Sequence, residues 1–223
     1  MLIIAEDLTK YYYRGGEKIT ALHNVNLQIP AGAFVFIVGP SGGGKSTLLH
    51  ILGGMDHPSS GRLSINGFSI DKASEDELTH FRRQHIGFVF QFFNLLSSLD
   101  ALDNVALPLL ARSQSRNTAR IQAAQHLDKV GLSARKRHMP AELSGGEQQR
   151  VAIARAIIGL PSLVLADEPT GDLDAENAEA VMLLMLELNR SLGITFIVAT
   201  HNEALTRFGD HLFELRAGKL QGR

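Results

Sequence analysis

The sequence contains no cysteine and no tryptophan, and aromatic residues of all kinds make up 6% of its 223 positions. Without thiols there is no disulfide and no thiolate metal site. An excess of charge of one sign is also missing: 22 basic residues stand against 23 acidic ones, a formal net charge of -1. A protein that holds nucleic acid by electrostatics carries a clear basic surplus, so no nucleic acid is expected as partner. Long hydrophobic runs are absent too. The longest unbroken aliphatic stretch, Val181 to Leu186, is closed by Glu187, whereas a spanning helix needs about 20 apolar residues. The first residues, Met1-Leu-Ile-Ile-Ala-Glu-Asp, put acids where a signal peptide would continue its apolar region. These absences lead to the expectation of a cytoplasmic chain without direct membrane insertion, which reaches any membrane through a partner.

What is present is globular: 44% apolar and 20% charged residues, with no low-complexity linker and no internal repeat. The length suits one domain spanning 1–223. Short apolar runs bounded by turn residues recur at Phe34 to Val38, Ile86 to Phe90, Leu163 to Ala166 and Ile194 to Ala199. Such runs suit strands buried on both faces of a mostly parallel sheet. Helical patterns lie among them at Lys45 to Leu52, Val151 to Ile158 and Glu176 to Leu192, which makes the fold class α/β. The first thirty residues differ. Leu2 to Leu8 and Ala21 to Ile29 read as strands, with Tyr11-Tyr12-Tyr13-Arg14-Gly15-Gly16 between them. Val25, Leu27 and Ile29 alternate with polar neighbours, as a half-buried antiparallel strand does, and Arg62 to Asn66 resembles another. From about 92 to 160 the pattern is helical with little strand, which predicts a helical subdomain inserted into the α/β core.

Gly39-Pro40-Ser41-Gly42-Gly43-Gly44-Lys45-Ser46-Thr47 fits the phosphate-binding pattern G-x-x-x-x-G-K-[ST] between a buried run and a helix. The glycines let backbone amides turn toward one point and leave room for phosphate. The helix start adds unpaired N–H groups and a partial positive charge. Lys45 can bridge the β- and γ-phosphates, Ser46 can ligate Mg2+, and Thr47 can support a neighbouring phosphate. A glycine-rich turn before an ordinary helix would look similar, but the strand–loop–helix context argues against it. The motif by itself leaves kinases, GTPases, helicases and transport ATPases open.

Leu163-Val164-Leu165-Ala166-Asp167-Glu168 is an apolar strand ending in two acids. Beside a phosphate loop, Asp167 can hold Mg2+. Glu168 points elsewhere and can polarise an attacking water. Taken alone, the pair would be a strand ending at the surface.

Leu143-Ser144-Gly145-Gly146-Glu147-Gln148-Gln149-Arg150-Val151-Ala152-Ile153-Ala154-Arg155-Ala156 resembles the signature motif of ATP-binding cassette (ABC) ATPases. Ser144 and two glycines before a helix make a second anion-binding terminus in the same chain. Further matches follow in the family's order. Gln91 looks like the Q-loop glutamine, Gly171-Asp172-Leu173-Asp174 like the D-loop, and His201 like the switch histidine. Tyr12 best matches the residue that stacks on adenine, with Tyr11 and Tyr13 as near alternatives. The resemblance runs from about Leu2 to Gly218.

The resemblance implies a RecA-like P-loop NTPase core and an ATP-dependent homodimer with head-to-tail half-sites. Gly39, Ser41, Gly42, Gly43, Gly44, Lys45, Ser46, Thr47, Gln91, Asp167 and Glu168 of one copy would hold Mg-ATP, with Ser46, Gln91 and Asp167 on the metal. Ser144, Gly145 and Gly146 of the other copy would cap the γ-phosphate, and Asp172 and Asp174 would lie at the dimer contact. Glu168 would be the general base and His201 would position the water. The other histidines are scattered and need no function, and Met182 and Met185 read as core.

Phe92-Phe93-Asn94-Leu95-Leu96 and Ala101-Leu102-Asp103-Asn104-Val105 resemble the subfamily serving lipoprotein release and macrolide-type export. Ser97 stands where that subfamily often has proline, Gly43 where it often has serine, and Asp172 where asparagine is common. The implied partner is an integral-membrane permease docking near Gln91 to Leu99, which predicts that Phe92 or Phe93 is partly exposed. Two competing classes are a non-transport ABC ATPase acting on nucleic acid or ribosomes and a P-loop kinase. The first would bring coiled coils or a second cassette, and the second has no use for the signature segment.

Overall fold

The computed structural model describes residues 1–222. The element order begins with β1 (Ile3–Arg14), β2 (Glu17–Ile29), β3 (Phe34–Val38) and α1 (Lys45–Leu52). It continues with β4 (Ser60–Ile65), β5 (Phe68–Ser69), α2 (Glu75–His85) and β6 (Ile86–Phe90). Three helices follow, α3 (Ala101–Ala111), α4 (Arg116–Lys129) and α5 (Gly145–Ile157). The chain ends with β7 (Leu163–Asp167), α6 (Ala175–Leu192), β8 (Thr195–Thr200), β9 (His211–Arg216) and β10 (Lys219–Gly222). Among the described residues, no helix is long and apolar enough to cross a membrane.

Two sheets result. The larger has the order β10-β9-β3-β8-β7-β6, parallel except for β10 against β9. The smaller is antiparallel, β2-β1-β4-β5. Period-two alternation sorts the central strands' side chains onto two cores. Phe34, Phe36, Val164, Ala166, Phe196 and Val198 face the core shared with α3, α4, α5 and α6. Val35, Ile37, Leu163, Leu165, Ile197 and Ala199 face the core shared with α1 and the antiparallel sheet. Burial on both faces is why these strands read as unbroken apolar runs. Phe34 and Phe196 stack at 5.5 Å in the first core, and truncating Phe34 to alanine would cost about 3–5 kcal/mol.

The expectation for the amino-terminal strands needs correction. The tyrosine segment is not a connection: β1 runs on to Arg14, β2 begins at Glu17, and only Gly15 and Gly16, both at positive φ, form the turn. Paired backbone along both strands carries the hairpin although its tip is exposed. The helix expected from Val151 begins earlier, at Gly145, because Ser144 caps it. Helix α2 has charged residues on most of its surface and buries only Leu78 and Phe81, so apolar periodicity is faint there. Its capping box, Ser74 with Glu77, was the available signal.

Candidate nucleotide site

Loop 39–44 connects β3 to α1 across the carboxyl edge of the parallel sheet, where α/β folds bind ligands. Gly44 caps α1 with φ 103 and offers no side-chain cap. A Cβ there would stand 2.5 Å from the Ala21 carbonyl oxygen, so only glycine fits. The first turn of α1 also has no acidic residue. Its first N–H groups therefore have neither a side-chain cap nor an acid of their own turn, the arrangement that binds phosphate.

A cavity of about 530 Å³ opens over this loop. It is lined by Ser41, Gly42, Gly43, Gly44, Lys45, Ser46, Thr47, Phe90, Gln91, Phe92, Asn94, Asp167 and Glu168, with Ile19, Thr20 and Ala21 of β2 at its side. The size suits a nucleotide. Lys45 is buried, and its Nζ donates to the carbonyls of Gly39 (2.8 Å) and Pro40 (3.2 Å). Those bonds hold the ammonium over the loop. Gly39 has φ 155, outside the cavity lining but within reach of Lys45.

Asp167 ends β7 in register with Phe90 of β6 and Ala199 of β8. Glu168 takes a left-handed conformation, φ 46, and its N–H bonds the Ala199 carbonyl. This turn aims the two carboxylates differently. Glu168 Oε1 lies 3.6 Å from Lys45 Nζ. Its Oε2 lies 3.0 Å from His201 Nδ1 and accepts the His201 backbone N–H at 3.2 Å. Gln91 Nε2 donates to Asp172 Oδ1 at 3.3 Å, tying the loop after β6 to the loop after β7. Ser46, Gln91 and Asp167 line the same cavity with a hydroxyl, an amide and a carboxylate. This hard oxygen set fits Mg2+, which is held through few protein ligands plus phosphate and water.

Of the three tyrosines, Tyr12 is on the cavity side. Its hydroxyl is within hydrogen-bond reach of Thr47, a lining residue, and along a strand its ring lies on the face opposite to Tyr11 and Tyr13. Its hydroxyl donates to Asp56 Oδ2 at 2.8 Å, and Lys10 Nζ sits 4.9 Å from the ring centroid. Lys10 also bonds Asp56 Oδ1 at 2.6 Å. Burial and the Asp56 hydrogen bond raise the Tyr12 phenol pKa. Tyr11 and Tyr13 pack edge to face on the opposite side, with Lys18 over Tyr11.

Ser144, Gly145 and Gly146 do not line this cavity. Ser144 caps α5: its Oγ accepts from the Glu147 N–H, and its own N–H donates to Glu147 Oε2 at 2.8 Å. Arg135 Nε holds the other Glu147 oxygen at 2.9 Å. That guanidinium, then the Ser144 N–H, keep the Glu147 carboxyl down at about 2. A Cβ at Gly146 would meet Asn177 Oδ1 at 2.8 Å, so the Asn177 side chain would have to shift to admit one. Asn177 is in turn held by Asp174, the N-cap of α6. Hydrogen bonds from Asn177 lower the Asp174 pKa. The structure thus collects Lys45, Ser46, Thr47, Gln91, Asp167 and Glu168 at one cavity. Elsewhere it sets Gly146, in the first turn of the helix that Ser144 caps, against Asn177, which Asp174 holds. Asp56, Gln149 and Arg155 were not singled out from sequence. Asp56 acts through contacts 44 positions away, which no local pattern encodes.

The family model described as "ABC transporter" matches residues 22–171. The lipoprotein-releasing system ATP-binding protein LolD of Coxiella burnetii is 48% identical over 221 residues, covering 99% of this chain and 95% of that protein. The protein of the same name from Idiomarina loihiensis is 50% identical over 201 residues, covering 90% and 88%. The ATP-binding cassette MJ0796, solved as a dimer in a post-hydrolysis state bound to ADP and Pi, superposes with a TM-score of 0.91 at 43% identity, covering 99% of this chain and 97% of that one. A second dimeric structure of MJ0796 gives 0.90 at 45% identity, covering 98% and 96%. Phosphate loop, acidic strand end and signature helix thus occur on a matching fold along nearly the whole chain, and the chain belongs to the ABC transporter family, as one of its ATP-hydrolysing cassettes.

Proposed function

We propose that this protein is the ATPase subunit of a lipoprotein-releasing type of ABC transporter. It would act at the cytoplasmic face of the inner membrane through a separate integral-membrane permease. The observation that carries the mechanism is the split of the site. One copy gathers Lys45, Ser46, Gln91, Asp167 and Glu168 at its cavity and leaves Ser144 outside it. A second copy facing head to tail supplies the missing helix terminus, as the dimeric structures of MJ0796 support.

Each residue then has a task. The loop amides and Lys45 hold the phosphates, and Thr47 supports them. Tyr12 stacks on the base. Ser46, Gln91 and Asp167 would hold Mg2+, which supplies charge neutralisation for the phosphate oxygens when bound. Glu168 accepts the proton of the attacking water, with His201 fixing its carboxylate. Ser144, Gly145 and Gly146 of the partner copy stabilise charge on the γ-phosphate. Asp172 and Asp174 keep the adjoining loops in shape at the contact between copies. ATP joins the two copies and hydrolysis releases them, which converts chemistry into closing and opening. The helices between residues 92 and 160 act as the subdomain that carries the signature terminus.

Phe92 is 73% exposed and Leu96 50% exposed. The same segment contributes Asn94 to a groove lined by Phe88, Phe90 and Pro108 and by Arg83, Arg112 and Arg155. Exposed apolar side chains beside a groove with basic groups suit the permease's cytoplasmic helix. The experiment is affinity purification from membranes. Recovery with a multi-span membrane protein, together with ATPase activity that rises more steeply than linearly with protein concentration, supports the reading. Recovery with ribosomes or nucleic acid instead would sink it.

A further inference from the structure

Two side chains of β1 meet on one carboxylate. Tyr12 donates its hydroxyl to Asp56 Oδ2 at 2.8 Å, and Lys10 Nζ donates to Asp56 Oδ1 at 2.6 Å. Lys10 also donates to the His57 carbonyl at 2.7 Å, and its ammonium lies 4.9 Å from the Tyr12 ring centroid. Asp56 therefore uses one oxygen on the phenol and the other on the cation that sits against the ring of that phenol. An acceptor on the hydroxyl and a cation over the face leave the ring little freedom to turn. Burial would raise the Asp56 pKa, but the bonds from Lys10 and Tyr12 outweigh it and the pKa is lowered.

Asp56 is itself fixed. It lies on the turn after α1, where the Gly53, Gly54 and Met55 N–H groups return to the carbonyls of Leu49, Ile51 and His50 at 2.8, 3.0 and 2.8 Å. Arg82 of α2 holds the Gly54 carbonyl, and Asp56 Oδ1 accepts the His57 N–H at 2.8 Å. Helix α1 opens with Lys45, Ser46 and Thr47. One helix thus presents the phosphate contacts at its start and the support of the Tyr12 ring just past its end. These bonds are not needed to attach β1. The strand is paired with β2 from Lys10 to Arg14, and on its other edge the Ser59 N–H donates to the Thr9 carbonyl at 2.8 Å. What the charged pair adds is the orientation of a ring that is 40% exposed. Without support, such a ring samples several rotamers and must be ordered when it stacks.

We propose that Asp56, with Lys10, is a positioning residue for the nucleotide base, holding the Tyr12 ring in its stacking orientation before nucleotide arrives. Preorganisation of this kind cuts the entropy lost on binding. This rests on the reading of Tyr12 as the residue that takes the base.

The test is calorimetric titration of the full chain without divalent metal, so that no turnover occurs. Two ligands are compared: ATP, and inorganic tripolyphosphate, which keeps the phosphate chain and lacks the base. Asp56→Ala should weaken ATP binding about threefold, what one net hydrogen bond is worth, and leave tripolyphosphate at the parent value. Added to Tyr12→Ala, it should cost nothing further, because no ring remains to be held. Asp56→Asn keeps an acceptor for the phenol and for the His57 N–H. It should show a smaller loss confined to ATP, and it carries the test should the alanine variant fail to fold. Parent-like ATP binding in both Asp56 variants overturns the proposal. So does an equal loss of ATP and tripolyphosphate, or an undiminished loss in the Tyr12→Ala chain, either of which marks Asp56 as part of the fold alone. If Tyr12→Ala by itself binds ATP like the parent, the reading of Tyr12 falls, and this proposal with it.

Discussion

His201 grips one oxygen of Glu168 twice, through Nδ1 at 3.0 Å and through its backbone N–H at 3.2 Å. Lys45 stands 3.6 Å from the other oxygen. The carboxylate is thereby aimed by a residue from the end of β8, not by its own strand. Glu168→Gln keeps the shape and removes the base. It should bind ATP, lower turnover by about 100-fold or more, and accumulate as a dimer with ATP. A steady-state phosphate-release assay and a sizing column check this. Unchanged turnover would remove Glu168 from the base role.

Ser144 caps α5 away from its own chain's cavity. Ser144→Arg places a long side chain at the face offered to a second copy. Monomer ATP binding, read by fluorescent nucleotide titration, should stay within about twofold, while ATP-driven dimerisation falls at least tenfold. Equal loss of both would mean that Ser144 serves its own chain's site.

Tyr12 is fixed by Asp56 and Lys10 on the cavity side of the hairpin. Base stacking on an aromatic ring is worth about 1–3 kcal/mol. Tyr12→Ala should weaken ATP binding about tenfold, and Tyr12→Phe, which keeps the ring, by much less. Tyr11→Ala should leave affinity near the parent value, since Tyr11 packs on the other face. Calorimetric titration distinguishes the three.

Glu147 links acid stability to the signature helix. Its folded pKa, about 2, is below the ordinary 4.5. A depressed carboxylate pKa contributes stability that is present above the unfolded value and is lost as pH falls through the folded one. The window is therefore from 4.5 down to about 2. Glu147→Gln should lose about 1 kcal/mol at neutral pH, the size of a solvent-screened capping interaction. Urea unfolding should show the gap between variant and parent shrinking below pH 4.5. A gap that stayed constant on acidification would contradict the assignment.

Much of this was legible along the chain because it is local. Phe34 to Val38 and Ile86 to Phe90 are apolar on both faces, and each is a strand of the bounds read from sequence. Helix α1 begins at Lys45 because a glycine loop must end in a helix to present its amides. That Phe92 or Phe93 is partly exposed was expected from the family resemblance, and Phe92 is exposed. Other features were hidden. Helix α2 buries two residues, too few for a periodic signal. Asn104 looks like any polar helical residue, yet its side chain is fully buried and bonds Leu96, Leu99 and Asp100. It shapes the loop that carries the exposed Leu96.

The sequence by itself determined the phosphate loop, the acidic strand end and the capped signature helix, since each is a short pattern whose spacing is its chemistry. Only the tertiary structure decided which tyrosine faces the cavity, where Glu168 points and what restrains the Gln91 loop. Those depend on the approach of Tyr12 to Thr47, on a left-handed turn closed by Ala199, and on the Arg155 guanidinium, 61 positions from the Asn94 carbonyl it holds. Contacts between distant parts of a chain form only when packing brings them together, and no local pattern carries that information.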